Sequence, residues 1–148
     1  MATPDAAPAS DTLRGVVAIT GSEPLTMVQL TTADGSAWRL VGVPLTELRA
    51  ASGLEVMVRG IVRSPDSAAR PIARFEATGY AVRSANGIVA LDGVLERVGP
   101  DFVLRVADDR RFPLAAVPMA LRDQTGARIW WSGPLDRAPN AYGVLRGR

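Results

Sequence analysis

The chain has 148 residues, of which 47% are apolar, 22% charged and 5% aromatic, a composition that fits one or two compact domains. It contains no cysteine and no histidine, and all 17 basic residues are arginine. Disulfides, thiolate and imidazole metal sites, Ser-His-Asp and Cys-His catalysis, lysine Schiff bases and Walker-type phosphate loops are thereby excluded.

Against 15 acidic residues the arginines leave a net charge of +2, a poor footprint for nucleic acid. Residues 1–12 are mostly Ala, Pro, Ser, Thr and Asp without apolar periodicity, and read as a disordered leader. They lack the basic start and apolar stretch of a signal peptide. Small residues with prolines look like the tether left once a signal has been cut. The expectation is therefore an exported or lipid-anchored envelope protein lacking its signal, in preference to a cytoplasmic one. No run of about 18 apolar residues is present, so no membrane-spanning helix is expected.

The most informative feature is an internal repeat. Leu13-Arg14-Gly15-Val16-Val17 matches Leu91-Asp92-Gly93-Val94-Leu95, with Gly21 opposite Gly99. A four-residue difference in the next turn brings Leu30, Asp34, Trp38, Leu40, Val43 and Pro44 onto Leu104, Asp108, Phe112, Leu114, Val117 and Pro118. After one further deletion Gly53, Val56, Val58 and Gly60 meet Gly126, Ile129, Trp131 and Gly133. Two copies of this size predict two small domains, 13–84 and 85–148, joined near Ser84-Ala85-Asn86-Gly87.

Each copy reads as three strands, a short helix and two more strands. In the first, strands are predicted over 13–21, 25–33, 37–43, 54–62 and 72–82, with a hairpin turn at Ala33-Asp34-Gly35-Ser36. Asp108-Asp109 holds the matching turn in the second copy. Pro44 to Gly53 reads as a helix of two to three turns opened by proline and stopped by glycine, and Pro118 to Gly126 repeats it. Five strands with a helix between the third and fourth, a glycine early in the first strand and another in the fourth, resemble an OB-fold barrel present twice in tandem. The resemblance is one of architecture and spans roughly residues 13–146. It implies an all-β protein of two tandem five-stranded OB-like barrels, whose outer face on strands two and three would bind ligands.

Strand alternation points Val28, Leu30, Trp38 and Leu40 inward, and Arg39 outward. In the second copy Arg105 and Arg111 point outward, with Asp101, Asp108 and Asp109 near enough to pair with them. Arg59 lies beside the bend expected at Gly60. Trp130-Trp131 cannot both enter one small barrel, so Trp131 is assigned to the core. Trp130 is assigned to the outside, packed on the chain or on a partner. The turn carboxylates suggest no catalytic pair, and no calcium loop is present. The loops Arg63 to Pro71 and Asp136 to Asn140 join the last two strands of each copy, where OB-folds clamp ligands.

The expected function is a non-catalytic binding or scaffold module, with no enzyme activity, cofactor or metal, serving a protein or other component of a bacterial cell envelope. One alternative is a single-stranded nucleic-acid binder using Arg39, Arg59, Arg105 and Arg111. Another is a small-ligand or glycan receptor near Trp130, between the barrels.

Overall fold

The computed structural model describes residues 11–22, 24, 26–63 and 72–148. The leader expected over 1–12 and the loop expected over 63–71 lie almost wholly outside the described residues. The chain is predominantly β and divides into two compact units, Met1–Tyr80 and Ala81–Arg148. The expected joint at 84–87 is a hairpin turn in which Asn86 and Gly87 both take positive φ, 51° and 81°. The division between units falls just before it, within a strand. Among the described residues no helix is long and apolar enough to cross a membrane.

Unit 1 contains β1 (Asp11–Thr20), β2 (Met27–Thr32), β3 (Ala37–Gly42), α1 (Leu45–Ala50), β4 (Leu54–Arg63) and the start of β5 (Arg74–Ala85). β1 begins at Asp11, so Asp11 and Thr12, expected in the leader, belong to a strand. β1 pairs antiparallel with β2 and with β4, and β2 pairs antiparallel with β3. β3 runs parallel to β5, which also pairs with β4, so the five pairings form a closed circuit. Inward side chains fill it: Val17, Val28, Leu30, Leu40, Leu48, Val56, Val58 and Phe75 are all buried. Trp38 is half-buried and meets Phe75 edge-on, with ring centroids 6.1 Å apart. α1 is tied to β5 by the Tyr80 hydroxyl, which donates to Glu47 at 2.7 Å.

Unit 2 continues with β6 (Ile88–Val98), β7 (Asp101–Arg105), β8 (Arg111–Leu114), α2 (Met119–Arg122), β9 (Arg128–Ser132) and β10 (Ala141–Arg146). The repeat is reproduced in its registers. Gly15 faces Val56 as Gly93 faces Ile129, Val17 faces Leu30 as Leu95 faces Leu104, and Leu30 faces Trp38 as Leu104 faces Phe112. The hairpin turns match as well. Thr32 N–H donates to Ser36 O and Gly35 N–H to Thr32 O, while Val106 N–H donates to Arg110 O and Asp109 N–H to Val106 O. Asp109 takes φ 65° where the first copy has Gly35, a left-handed position that aspartate tolerates better than most residues. Asp34 steadies the first turn by accepting from the Thr32 hydroxyl and, at 3.0 Å, from Ser36 N–H.

Both helices are shorter than the sequence suggests, and α2 is a single turn. They stop because the backbone N–H at the closing glycine is taken by the first strand of its own unit. Gly53 N–H donates to Val17 O and Gly126 N–H to Leu95 O, each at 2.8 Å. The copies differ after the third strand. Val43 is 98% exposed whereas Val117 is 5% exposed. The chain leaves β3 through Gly42 at φ 116°, a conformation closed to Ala116 in the second copy.

They differ again at the seam. β8 pairs with β7, and among the described residues its other side is met by Ala115 N–H donating to Leu135 O at 3.0 Å. Pro113 explains the difference. It aligns with Arg39, whose N–H donates to Ala73 O at 3.0 Å where β3 meets β5, and proline has no N–H to give. Among the described strands β10 therefore pairs with β9 alone. Opposite buried Trp131 and Ile129, Tyr142 and Val144 stay 39% and 38% exposed. The core of unit 2 is built on Leu95, Leu104, Leu114, Leu121, Ile129 and Trp131, whose indole N–H donates to Pro134 O at 2.8 Å. Asp92, 7% exposed, accepts from Val82 N–H at 2.7 Å and pairs with Arg128 at 2.6 Å, joining β5, β6 and β9.

Two glycines hold the first two strands of each unit together. A methyl group on Gly15 would lie closer than 3.0 Å to the Thr31 carbonyl oxygen, and one on Gly93 would do the same at Arg105. Gly15→Ala and Gly93→Ala are each expected to cost about 2 kcal/mol in urea unfolding, since the obstacle is backbone and the strands must part. Gly147→Ala, with open space around the added methyl, should change stability by less than about 0.5 kcal/mol.

Candidate functional site

The outer face of β6, β7 and β8 carries most of the chemistry. Arg105 and Arg111 stand directly opposite each other on neighbouring strands, an arrangement of like charges that destabilises a sheet unless something intervenes. Glu96, a diagonal neighbour on β6, intervenes. Its two carboxylate oxygens accept from Arg105 Nε and Arg111 Nε, each at 3.0 Å, and Asp109 adds a longer contact of 3.4 Å to Arg105. Hydrogen bonds from Arg105 and then Arg111 hold the Glu96 carboxyl below its ordinary value, and Glu96 in turn raises Arg105. The three side chains border an open groove of about 690 Å3 that also carries Arg97 and Arg146.

A second depression lies on the same strands. It is a recess of about 670 Å3 between the β6–β7 turn and the loop that follows β9. Val98, Phe102, Val103, Pro113, Leu114, Ala115 and Leu135 line it, and its charged residues are Asp101 and Asp136. Leu135 reaches β8 by accepting the Ala115 N–H, so the seam that Pro113 leaves unpaired is also the wall of this recess. Arg97 lies across the Phe102 ring, 5.2 Å from its centroid, with Nε donating to Gly99 O.

The residues singled out in the sequence are divided between the units, Arg39 and Arg59 in unit 1 and Arg105, Arg111 and Trp130 in unit 2. Arg105 and Arg111 meet at Glu96. Arg39 sits half-buried on β3, opposite Gln29 and in register with Arg74 of β5. Arg59 is exposed on β4, its guanidinium lying over the α-carbon of Gly79. Trp130 is half-buried on the outer side of β9, and its indole covers Gly143 on the adjacent strand, where an added methyl would come within 3.0 Å of the ring. Covering a glycine in this way gives the indole apolar contact within its own unit.

Of the two loops expected to clamp a ligand, the first lies outside the described residues but for Arg63, and the second contributes Asp136 to the recess. Sequence reasoning missed Phe102 and Leu135 as neighbours of Val103 and Pro113, because the four come from three distant stretches of chain. The signal available was Pro113, which replaces the arginine of the first copy within a predicted strand. Among the described residues no group of three or more acidic side chains could hold a metal ion. No protein-family model, curated protein or solved structure matches the chain.

Because the folded Glu96 is more acidic than in the unfolded chain, its contribution to stability is present above the unfolded value, ordinarily 4.5, and is lost as pH falls through the lower folded value. Glu96→Gln is therefore expected to be less stable than the parent at neutral pH. The gap should close on acidification below pH 4.5 when unfolding midpoints are compared across pH.

Proposed function

We propose that the chain is a non-catalytic binding module built from two OB-like barrels, acting in a bacterial cell envelope. The barrel reading is supported by the closed circuit of pairings in unit 1, the parallel β3–β5 pair and the helix between β3 and β4. It is supported in unit 2 by the same registers in the same order. The absence of histidine, cysteine and lysine from the sequence supports a binding role over a catalytic one. The observation that carries the reading is the recess on β7 and β8, between the β6–β7 turn and the loop after β9. This is the region where OB-folds hold their ligands, and its volume lies within the range of ligand pockets. The envelope assignment draws on the composition of residues 1–12.

The nucleic-acid alternative has one observation in its favour, the four arginines Arg97, Arg105, Arg111 and Arg146 bordering a single groove. Against it, Glu96 in the same lining occupies Nε of two of them and offsets part of their charge.

Two probes test the reading. Nile red, an uncharged apolar dye, is expected to bind the folded chain one to one, and Val103→Glu should weaken it about tenfold or more. Fluorescein-labelled oligothymidylate at physiological salt should bind no tighter than the non-specific range of about 10⁻⁴ to 10⁻⁶ M. Dye binding that ignores Val103→Glu overturns the module reading. Tight, salt-sensitive binding of the oligonucleotide, lost in Arg105→Ala/Arg111→Ala, replaces it with the alternative. Recovery of the natural gene product in the cytosolic fraction overturns the envelope assignment.

A further inference from the structure

The positive charge of the chain is not shared evenly. Residues 1–80 carry seven arginines against eight acidic residues, and residues 81–148 carry ten against seven. We infer that the arginine groove of unit 2 binds a compact phosphate group, one that holds two or more negative charges as a phosphomonoester or pyrophosphate does. This site goes beyond the recess reading and does not depend on it. β6 runs along the groove from Val94 to Val98. Arg105 and Arg111 stand on the β7–β8 side of that strand, and Arg146, in register with Arg128 of β9, stands on the other. Arg97 lies toward the end of β6, and Gly126 borders the groove while giving its N–H to Leu95 O.

Four arginines and one carboxylate line the groove, a surplus of three positive charges. Asp109, 3.4 Å from Arg105, reduces the surplus to two. Other charges on these strands cancel in pairs, Asp92 with Arg128 and Asp108 with Arg110. Asp101 lies past Arg97, in a depression that Arg122 also lines. Glu96 subtracts one charge, and it also orders the site. Its two oxygens take one Nε each, which fixes the guanidinium groups of Arg105 and Arg111 side by side. The Nη donors of Arg111 are then left to a ligand, and guanidinium donors bond phosphate oxygens strongly and directionally. Side chains ordered in advance lose less freedom on binding. The acidic residues at the borders favour a compact guest. A phosphodiester chain continued along β7 and β8 meets Asp108 and Asp109 at one turn and Asp101 at the other end of β7. A single dianion matches the surplus and stays between the arginines.

Isothermal titration calorimetry of the intact chain with sodium pyrophosphate and with inorganic phosphate, at fixed ionic strength, tests this. Pyrophosphate should bind one to one and more tightly than phosphate. Arg105→Gln/Arg111→Gln should weaken it about tenfold or more, and Arg146→Gln, which leaves both bonds to Glu96 in place, about threefold or more. Arg137→Gln removes the same single charge outside the groove and should leave the affinity unchanged. Circular dichroism verifies that each variant is folded. Phosphatidylcholine vesicles with and without phosphatidic acid distinguish the sources of the group. Retention on phosphatidic acid, lost in the groove variants, assigns it to a lipid headgroup, and pyrophosphate binding without such retention assigns it to a soluble molecule. No binding in either arm, affinities that fall as much in Arg137→Gln as in Arg146→Gln, or a preference for oligothymidylate over pyrophosphate overturns the inference.

Discussion

The approach of the first two strands in each unit, closer than any side chain at Gly15 or Gly93 allows, is the constraint on which the rest of the architecture depends. A strand that crosses its neighbour this tightly must be bare at the crossing point, and the backbone carbonyls of Thr31 and Arg105 fill the space a methyl group would need. From that crossing the registers run outward in both directions. β1 meets β4 at Gly15–Val56, and β6 meets β9 at Gly93–Ile129. The inward row of Val17, Leu30, Val56 and Val58 is then brought to the interior of unit 1, and that of Leu95, Leu104, Ile129 and Trp131 to the interior of unit 2.

Within this shared frame the two copies fill their cores by different means. Unit 1 places its large buried aromatic, Phe75, on the fifth strand, and unit 2 places Trp131 on the fourth, at the position of Val58. Leu135 stands beside β8 in unit 2 as Phe75 stands beside β3 in unit 1, but in a loop that meets β8 through the Ala115 N–H. The same substitution of Pro113 for Arg39 that removes a rung from the seam opens the recess beside it. In unit 2, the weakest stretch of sheet and the candidate site are therefore one feature.

Much of this was legible in the sequence, because it is local or periodic. The repeat, the Asp-Gly turn and its Asp-Asp counterpart, the inward rows and the expectation that Arg105 and Arg111 would pair with carboxylates all came from spacing and alternation. The carboxylate proved to be chiefly Glu96. It lies on β6, nine residues before Arg105, and only the antiparallel register brings it between the two arginines. Helix lengths were overread, since the propensity of Pro118 to Gly126 says nothing of the strand carbonyl that captures Gly126 N–H. The recess was not legible, because residues near 100, 113 and 135 become neighbours only after the sheet has formed. Trp130 is half-buried against Gly143, and that cover gave no sequence signal.

Pro113 has a further consequence for a chain that carries two copies of one strand pattern. During folding, each third strand meets two candidate fifth strands, β5 and β10, and exchange between copies is the characteristic error of tandem repeats. An edge interrupted by proline cannot complete the parallel ladder that β3 forms with β5, so β8 is a poor competitor for the segment that unit 1 requires. A missing amide hydrogen thus makes two near-identical assembly problems distinguishable, and directs each half of the chain to its own partner strands.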